Sequence, residues 1–169
     1  MSSRTTSPYL DDPARLADVV AAIQAMGTYK FYKLSFEAWA DRIVGDKSKA
    51  DYWRGVFEAH PEFFRLDSPR ENASLVWRRQ YPKRYYVDED RKITQAEYYG
   101  FTQEQKKRVS RNPLAPPDIK ALIDTAIDMH SRALEDRKEK RWWLPLAAVF
   151  GGLVGSVLGV LLPKLFTTH

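Results

Sequence analysis

One stretch constrains this chain more than any other. In "RWWLPLAAVFGGLVGSVLGVLLPKLFTTH" no charged side chain occurs from Trp142 to Pro163, although 29% of all residues are charged. A helix over that stretch is about 33 Å long, enough for a hydrocarbon core of about 30 Å. Arg137, Lys138, Lys140 and Arg141 precede it, followed by Trp142 and Trp143, and the only charge beyond it is Lys164. Cations and interfacial aromatics at one end are the border of a membrane helix with that end in the cytoplasm. Pro145 and Pro163 fall in the first and last turns, where proline is tolerated. The expectation is therefore a transmembrane helix over 142–163, an interface at residues 137–143 and a short tail over 164–169. The bland alternative is a buried core helix, which the remaining chain would have to surround.

Small residues recur along the same stretch every fourth position: Ala147, Gly151, Gly155 and Gly159, with Ala148, Gly152 and Ser156 beside them. In lipid, apolar bulk gives helices no net reason to associate, so close backbone approach through small side chains becomes the contact. The pattern resembles glycine-zipper membrane helices, and that resemblance implies a homo-oligomer and, in some members, a pore. Ser156 is the one hydroxyl in the span, so a selective ion path is not expected.

The first residues, "MSSRTTSPYLDDPAR", hold no apolar run of the secretory kind. The expected arrangement is a single pass with the amino-terminal part in the cytoplasm, by default at a bacterial inner membrane; eukaryotic tail anchors share this plan. There is no cysteine, and the three histidines stand far apart, so neither disulfides, a metal centre nor any cofactor is expected. The net charge of +5 favours polyanionic partners, either nucleic acid or the anionic membrane face.

Residues 1–10 read as a flexible terminus and 11–88 as one domain. "DDPARLADVVAAIQAMG" offers an Asp N-cap, Pro13 in the first turn, an apolar stripe at Leu16, Val19, Val20, Ile23 and Met26, and Gly27 as the stop. A second helix starts at Ser35, buries Phe36, Trp39, Ala40 and Ile43, and closes at Gly45. A third starts near Ser48, with Asp51 as a capping-box variant and Trp53, Val56 and Phe57 inward. "EFFRLD" and "SLVWRRQ" then alternate as strands around the turn cluster "SPREN", and "RYYVD" adds an extended segment. The stretch "LSFEAWADRIVGDKSKADYWRGVFEAHPEFFRLDSPRENASLVWRR" resembles a winged helix-turn-helix in pattern.

That resemblance implies a third helix in the major groove and a wing over the backbone. The residues in those places are Lys47, Lys49 and Arg54 on the helix, with Asp51 and Glu58 opposing them. The wing region carries Arg65, Arg70, Arg78, Arg79, Lys83 and Arg84, interleaved with Trp77, Tyr81, Tyr85 and Tyr86. Winged helices also dock proteins, and a docking module would expose an apolar patch near Trp39 or Trp77. Both partner classes stay open at this point.

Residues 89–116 read as short capped helices and a proline-rich hinge, with capping-box spacings at Thr94/Glu97 and Thr102/Gln105. Residues 117–141 read as a juxtamembrane helix whose seam, Ile119, Leu122, Ala126, Met129 and Ala133, either forms a coiled coil or packs on the domain. No catalytic constellation emerges. His60 and Glu62 in "HPEFF" are explained by a helix end followed by a strand. The expected class is mainly α with a small β ribbon: a winged-helix-like domain plus one transmembrane helix. Its expected function is non-enzymatic binding of a protein or nucleic-acid partner and its tethering to the membrane, with a membrane-perturbing oligomeric effector as the alternative.

Overall fold

The computed structural model of the chain describes residues 7–139. It is mainly helical with two small antiparallel sheets, an α+β architecture. Among the described residues no helix is long and apolar enough to cross a membrane; the expected span over 142–163 and its small-residue ridges lie outside them. The chain divides into two compact units, Met1–His130 and Ser131–His169.

The first unit begins with a 3-10 turn, Pro8–Leu10, and helix α1, Arg15–Thr28. The expected Asp cap is not formed: Ala14 stands at the N-cap with no side-chain hydrogen bond, and Asp12 and Pro13 fall in the turn before α1, where Asp12 accepts from the Ala14 N–H. Val19, Ile23 and Met26 are buried as expected. Gly27 does not stop the helix. It lies inside it, where an added Cβ would stand 3.0 Å from Ile119 Cγ1. Its missing side chain is what lets a later helix approach.

Strand β1, Lys33–Ser35, runs into α2, Phe36–Val44. Ser35 caps α2 through the Ala38 N–H, and Gly45 ends it at φ 72°, a left-handed conformation that glycine adopts without Cβ strain. Helix α3 spans Ala50–Ala59. Its approach is capped by Asp46, which accepts from the Ser48 N–H, and not by the expected Ser48–Asp51 pair. Trp39, Ala40, Trp53, Val56 and Phe57 are buried together with the α1 stripe.

Strands β2, Phe64–Leu66, and β3, Asn72–Leu75, follow. The sheet order is β1-β3-β2, all antiparallel, with Leu34 opposite Ala73 and Arg65 opposite Ser74. The expected second strand is shorter than "SLVWRRQ": after Leu75 the chain turns into a 3-10 segment, Trp77–Gln80.

Residues 89–116, expected as short capped helices and a proline-rich hinge, also carry two strands. Strand β4, Tyr85–Tyr86, lies between β5, Arg91–Lys92, and β6, Val109–Ser110, so the expected boundary at residue 88 cuts through a sheet. Helices α4, Gln95–Gly100, and α5, Gln103–Lys107, sit between these strands, and both expected capping boxes are formed. Tyr86, Ile93 and Val109 make a small core with Tyr98 and Phe101 packed on it.

Helix α6, Pro116–Glu139, starts where the proline pair predicts a new helix. Of the expected seam, Leu122 and Ala126 are buried and Ile119 meets Gly27, while Met129 is exposed. These first seam positions are thus used within the chain, the second of the two readings offered by their spacing. Tyr81 donates to Asp118 at 3.2 Å, and the Leu114 N–H donates to the Gly27 carbonyl at 2.9 Å.

Candidate functional site

The positively charged candidates for partner binding separate into four places, apart from those at the expected membrane interface. Arg78 leaves the surface altogether: it is wholly buried. Its Nε donates to the Asn112 carbonyl at 3.1 Å, its Nη1 to Met26 at 2.7 Å and Tyr29 at 2.5 Å, and its Nη2 to Arg111 at 2.6 Å and Lys30 at 3.5 Å. A guanidinium has five N–H donors, and each finds a backbone carbonyl. Met26 lies in the last turn of α1, where carbonyls lack helical partners and the dipole is negative, so the cation needs no carboxylate there. Burial lowers its pKa to about 10, with a small opposing effect from Tyr85, and the group remains cationic at neutral pH. Arg78 cannot be a partner-binding residue in this fold.

Arg70 and Arg79 come together with Lys33 and Arg65 around a cavity of about 620 Å³ that also includes Glu58 and Asp67. The connection between β2 and β3 positions them. Asp67 accepts from the N–H groups of Glu71 at 3.0 Å and Asn72 at 3.1 Å, and from Asn72 Nδ2 at 2.6 Å. Burial alone would raise its carboxyl, but these hydrogen bonds and the one from Lys33 outweigh it and hold the pKa at about 2. The staked turn places Arg70 at φ 59°, a left-handed conformation uncommon for a side chain of this size.

Glu58 on α3 accepts from Arg54 Nε at 3.0 Å and from Arg70 Nη2 at 2.8 Å, and these two arginines hold its carboxyl below the usual range. Lys33 is joined to Asp67 at 3.3 Å. Arg65 and Arg79 are exposed, and among the described residues neither has a carboxylate within 4.0 Å. Arg111 supports this edge from behind, donating through Nη1 to the carbonyls of Arg79 and Tyr81. The cavity therefore has two neutralised cations and two that are free to meet an anion.

The other candidates lie elsewhere. Lys47 and Lys49 belong to the 3-10 turn before α3, and Lys49 lines a different groove with Tyr52 and Trp53. Arg84 donates to Gln95 at 2.7 Å and lines a crevice with Tyr81 and Ile93, while Lys83 is exposed beside it. The membrane-interface residues Arg137 and Lys138 end α6, and Lys140, Arg141, Trp142 and Trp143 lie outside the described residues. Lys33 is the cation that sequence reasoning missed. Its strand is three residues long and hides between aromatic neighbours and a helix cap.

Trp39 exposes no apolar patch: it is fully buried and its indole N–H donates to the Ala73 carbonyl at 2.9 Å. His60 and Glu62 do meet, with Nδ1 2.9 Å from Oε1, but His60 is wholly buried at the end of α3. The Tyr9 ring lies tilted against it, with centroids 4.5 Å apart, and its hydroxyl donates to Glu62 at 3.4 Å. This cluster fastens the amino-terminal 3-10 turn to the end of α3.

No protein-family model, curated protein or solved structure matches this chain.

Proposed function

We propose that this is a non-enzymatic, single-pass membrane-anchored protein whose soluble part is a winged-helix-like module that grips a nucleic-acid backbone and holds it at the membrane. The observation that carries the reading is the pair of unneutralised arginines, Arg65 and Arg79, flanking the cavity that Lys33 and Arg70 complete. The order α1-β1-α2-α3-β2-β3, with β1 beside β3, supports the winged-helix resemblance. The exposed charges of α3 are mixed, with Asp51 and Glu58 against Arg54, and Arg54 is already tied to Glu58. Such a face suits sequence-independent phosphate contact better than base reading.

The test is binding of the full-length chain, in zwitterionic micelles, to a short duplex DNA across a salt series. Two neutralised phosphates should give a log–log slope of about −1.8, and four about −3.6. Arg65→Ala with Arg79→Ala should remove about 1.8 of that slope. Absence of binding at low salt, or a slope unchanged in the double variant, would overturn the reading. The membrane-perturbing alternative is favoured by the Gly151–Gly155–Gly159 ridge and predicts vesicle leakage by the same chain.

A further inference from the structure

A second groove lies on the side of the first unit where α1, the end of α2 and the start of α3 meet. It has a volume of about 330 Å³ and is lined by Asp18, Val44, Asp46, Lys49, Tyr52 and Trp53. Val44 is 53% exposed and Tyr52 41%, so two large apolar side chains stand in water at its rim. Trp53 is 2% exposed, and its indole N–H has no acceptor among the described residues. Large apolar side chains exposed at one groove mark a surface suited to a partner.

The carboxylates say which partner. Asp18 accepts from the Tyr52 hydroxyl through Oδ2, and Asp46 accepts from the Ser48 N–H and hydroxyl through Oδ1. The second oxygen of each, Asp18 Oδ1 and Asp46 Oδ2, receives no hydrogen bond from the described residues, and neither carboxylate has a cation within 4.0 Å. Asp12 adds to the negative field at Tyr52, opposed by Arg15. With Lys49 the count is three acids against two bases, on a chain whose net charge is +5. The hydrogen bond to Asp18, then burial, pushes the Tyr52 phenol up to about 12, which keeps it a neutral donor at physiological pH.

We infer that this groove docks a protein segment bearing an apolar side chain next to a lysine or arginine. The apolar group covers Val44 and Tyr52, and the cation takes the free oxygens of Asp18 and Asp46. The same carboxylates oppose a polyanion on this face, and the groove shares no lining residue with the Arg65–Arg79 cavity and does not rest on it.

The test uses the full-length chain in zwitterionic micelles and three fluorescein-labelled hexapeptides, alternating Leu–Lys, Leu–Glu and Ser–Lys, read by anisotropy against micelles alone. The expected result is saturable binding of Leu–Lys only. Asp18→Asn with Asp46→Asn keeps the Tyr52 and Ser48 hydrogen bonds, since Asn caps as well as Asp. It should weaken Leu–Lys by about tenfold, the scale of one charge-assisted hydrogen bond. Tyr52→Ser should weaken it independently, whereas Arg65→Ala with Arg79→Ala should leave it unchanged. Equal binding of Leu–Glu, no saturable binding of Leu–Lys, or full Leu–Lys affinity in the double Asn variant would overturn the proposal. The Arg65/Arg79 control separates that failure from a failure of the nucleic-acid reading.

Discussion

Arg78 Nη1 donates to the carbonyl oxygen of Met26 at 2.7 Å, across 52 positions of sequence. The same guanidinium reaches Arg111 and Asn112, so one side chain joins the end of α1 to the irregular segment that follows β6. Arg78→Ala would leave these carbonyls without a donor. At about 1–3 kcal/mol for each buried group left unsatisfied, a loss of at least 4 kcal/mol is expected. Arg78→Lys, with three donors in place of five, should fall between parent and Ala. Urea unfolding of the three proteins checks this order; a stable Ala variant would refute it.

A Cβ added at Gly27 in α1 would stand 3.0 Å from Ile119 Cγ1 in α6. Gly27→Val should destabilise the chain by about 1–3 kcal/mol through overpacking, despite removing a helix glycine. Shortening the opposing side chain, as in Ile119→Ala, should recover part of the loss when the two changes are combined. A double-mutant cycle measured by thermal unfolding reads the coupling, and strict additivity would show that the two residues do not press on each other.

Asp67 gives the chain an acid-dependent component of stability. Its folded pKa of about 2 lies below the ordinary 3.8, so the unfolded chain takes up the proton more readily. The contribution is complete above the unfolded value and is lost as pH falls from about 4 towards 2. Asp67→Asn should therefore be less stable than the parent at pH 7, with the gap closing over that window. A gap that persists at pH 2 would assign the effect to lost packing instead.

The proposed span carries a test of its own. Gly155→Leu places bulk in the middle of the small-residue ridge. It should convert crosslinkable oligomers of the full-length chain in micelles to monomers, and abolish any vesicle leakage. Unchanged crosslinking would remove the ridge as the contact.

The helices were legible because local signals define them. Ser35 and Gly45 bracket α2, and the Thr94 and Thr102 boxes open α4 and α5, each within a few residues of sequence. The short strands were harder. β1, β4, β5 and β6 have two or three residues each, too few for a period of two to declare itself, and their pairing partners lie up to dozens of residues away. Of the second sheet only β4 is foreseen, as the extended segment in "RYYVD"; β5 and β6 fall where capped helices and a proline-rich hinge are expected.

Arg78 illustrates the other limit. In "VWRRQ" nothing local distinguishes it from Arg79, yet one is sealed among carbonyls and its neighbour faces solvent. Only long-range partners separate them: the carbonyls of residues 26, 29 and 30 on one side and of residues 111 and 112 on the other. A sequence reading that proposes mutating both together would mix loss of folding with loss of binding. Pairing Arg79 with Arg65 avoids that.

Arg78 also sets a timetable for the ribosome. At about 5–20 residues per second, the 34 residues between Arg78 and Asn112 take about 2–7 s to synthesise, before allowing for the exit tunnel. During that interval the guanidinium is made but two of its acceptors are not. Until the second sheet has emerged, the first three helices stand without that part of the lock. The hydrophobic stretch that follows comes off the ribosome only after that lock has all its parts.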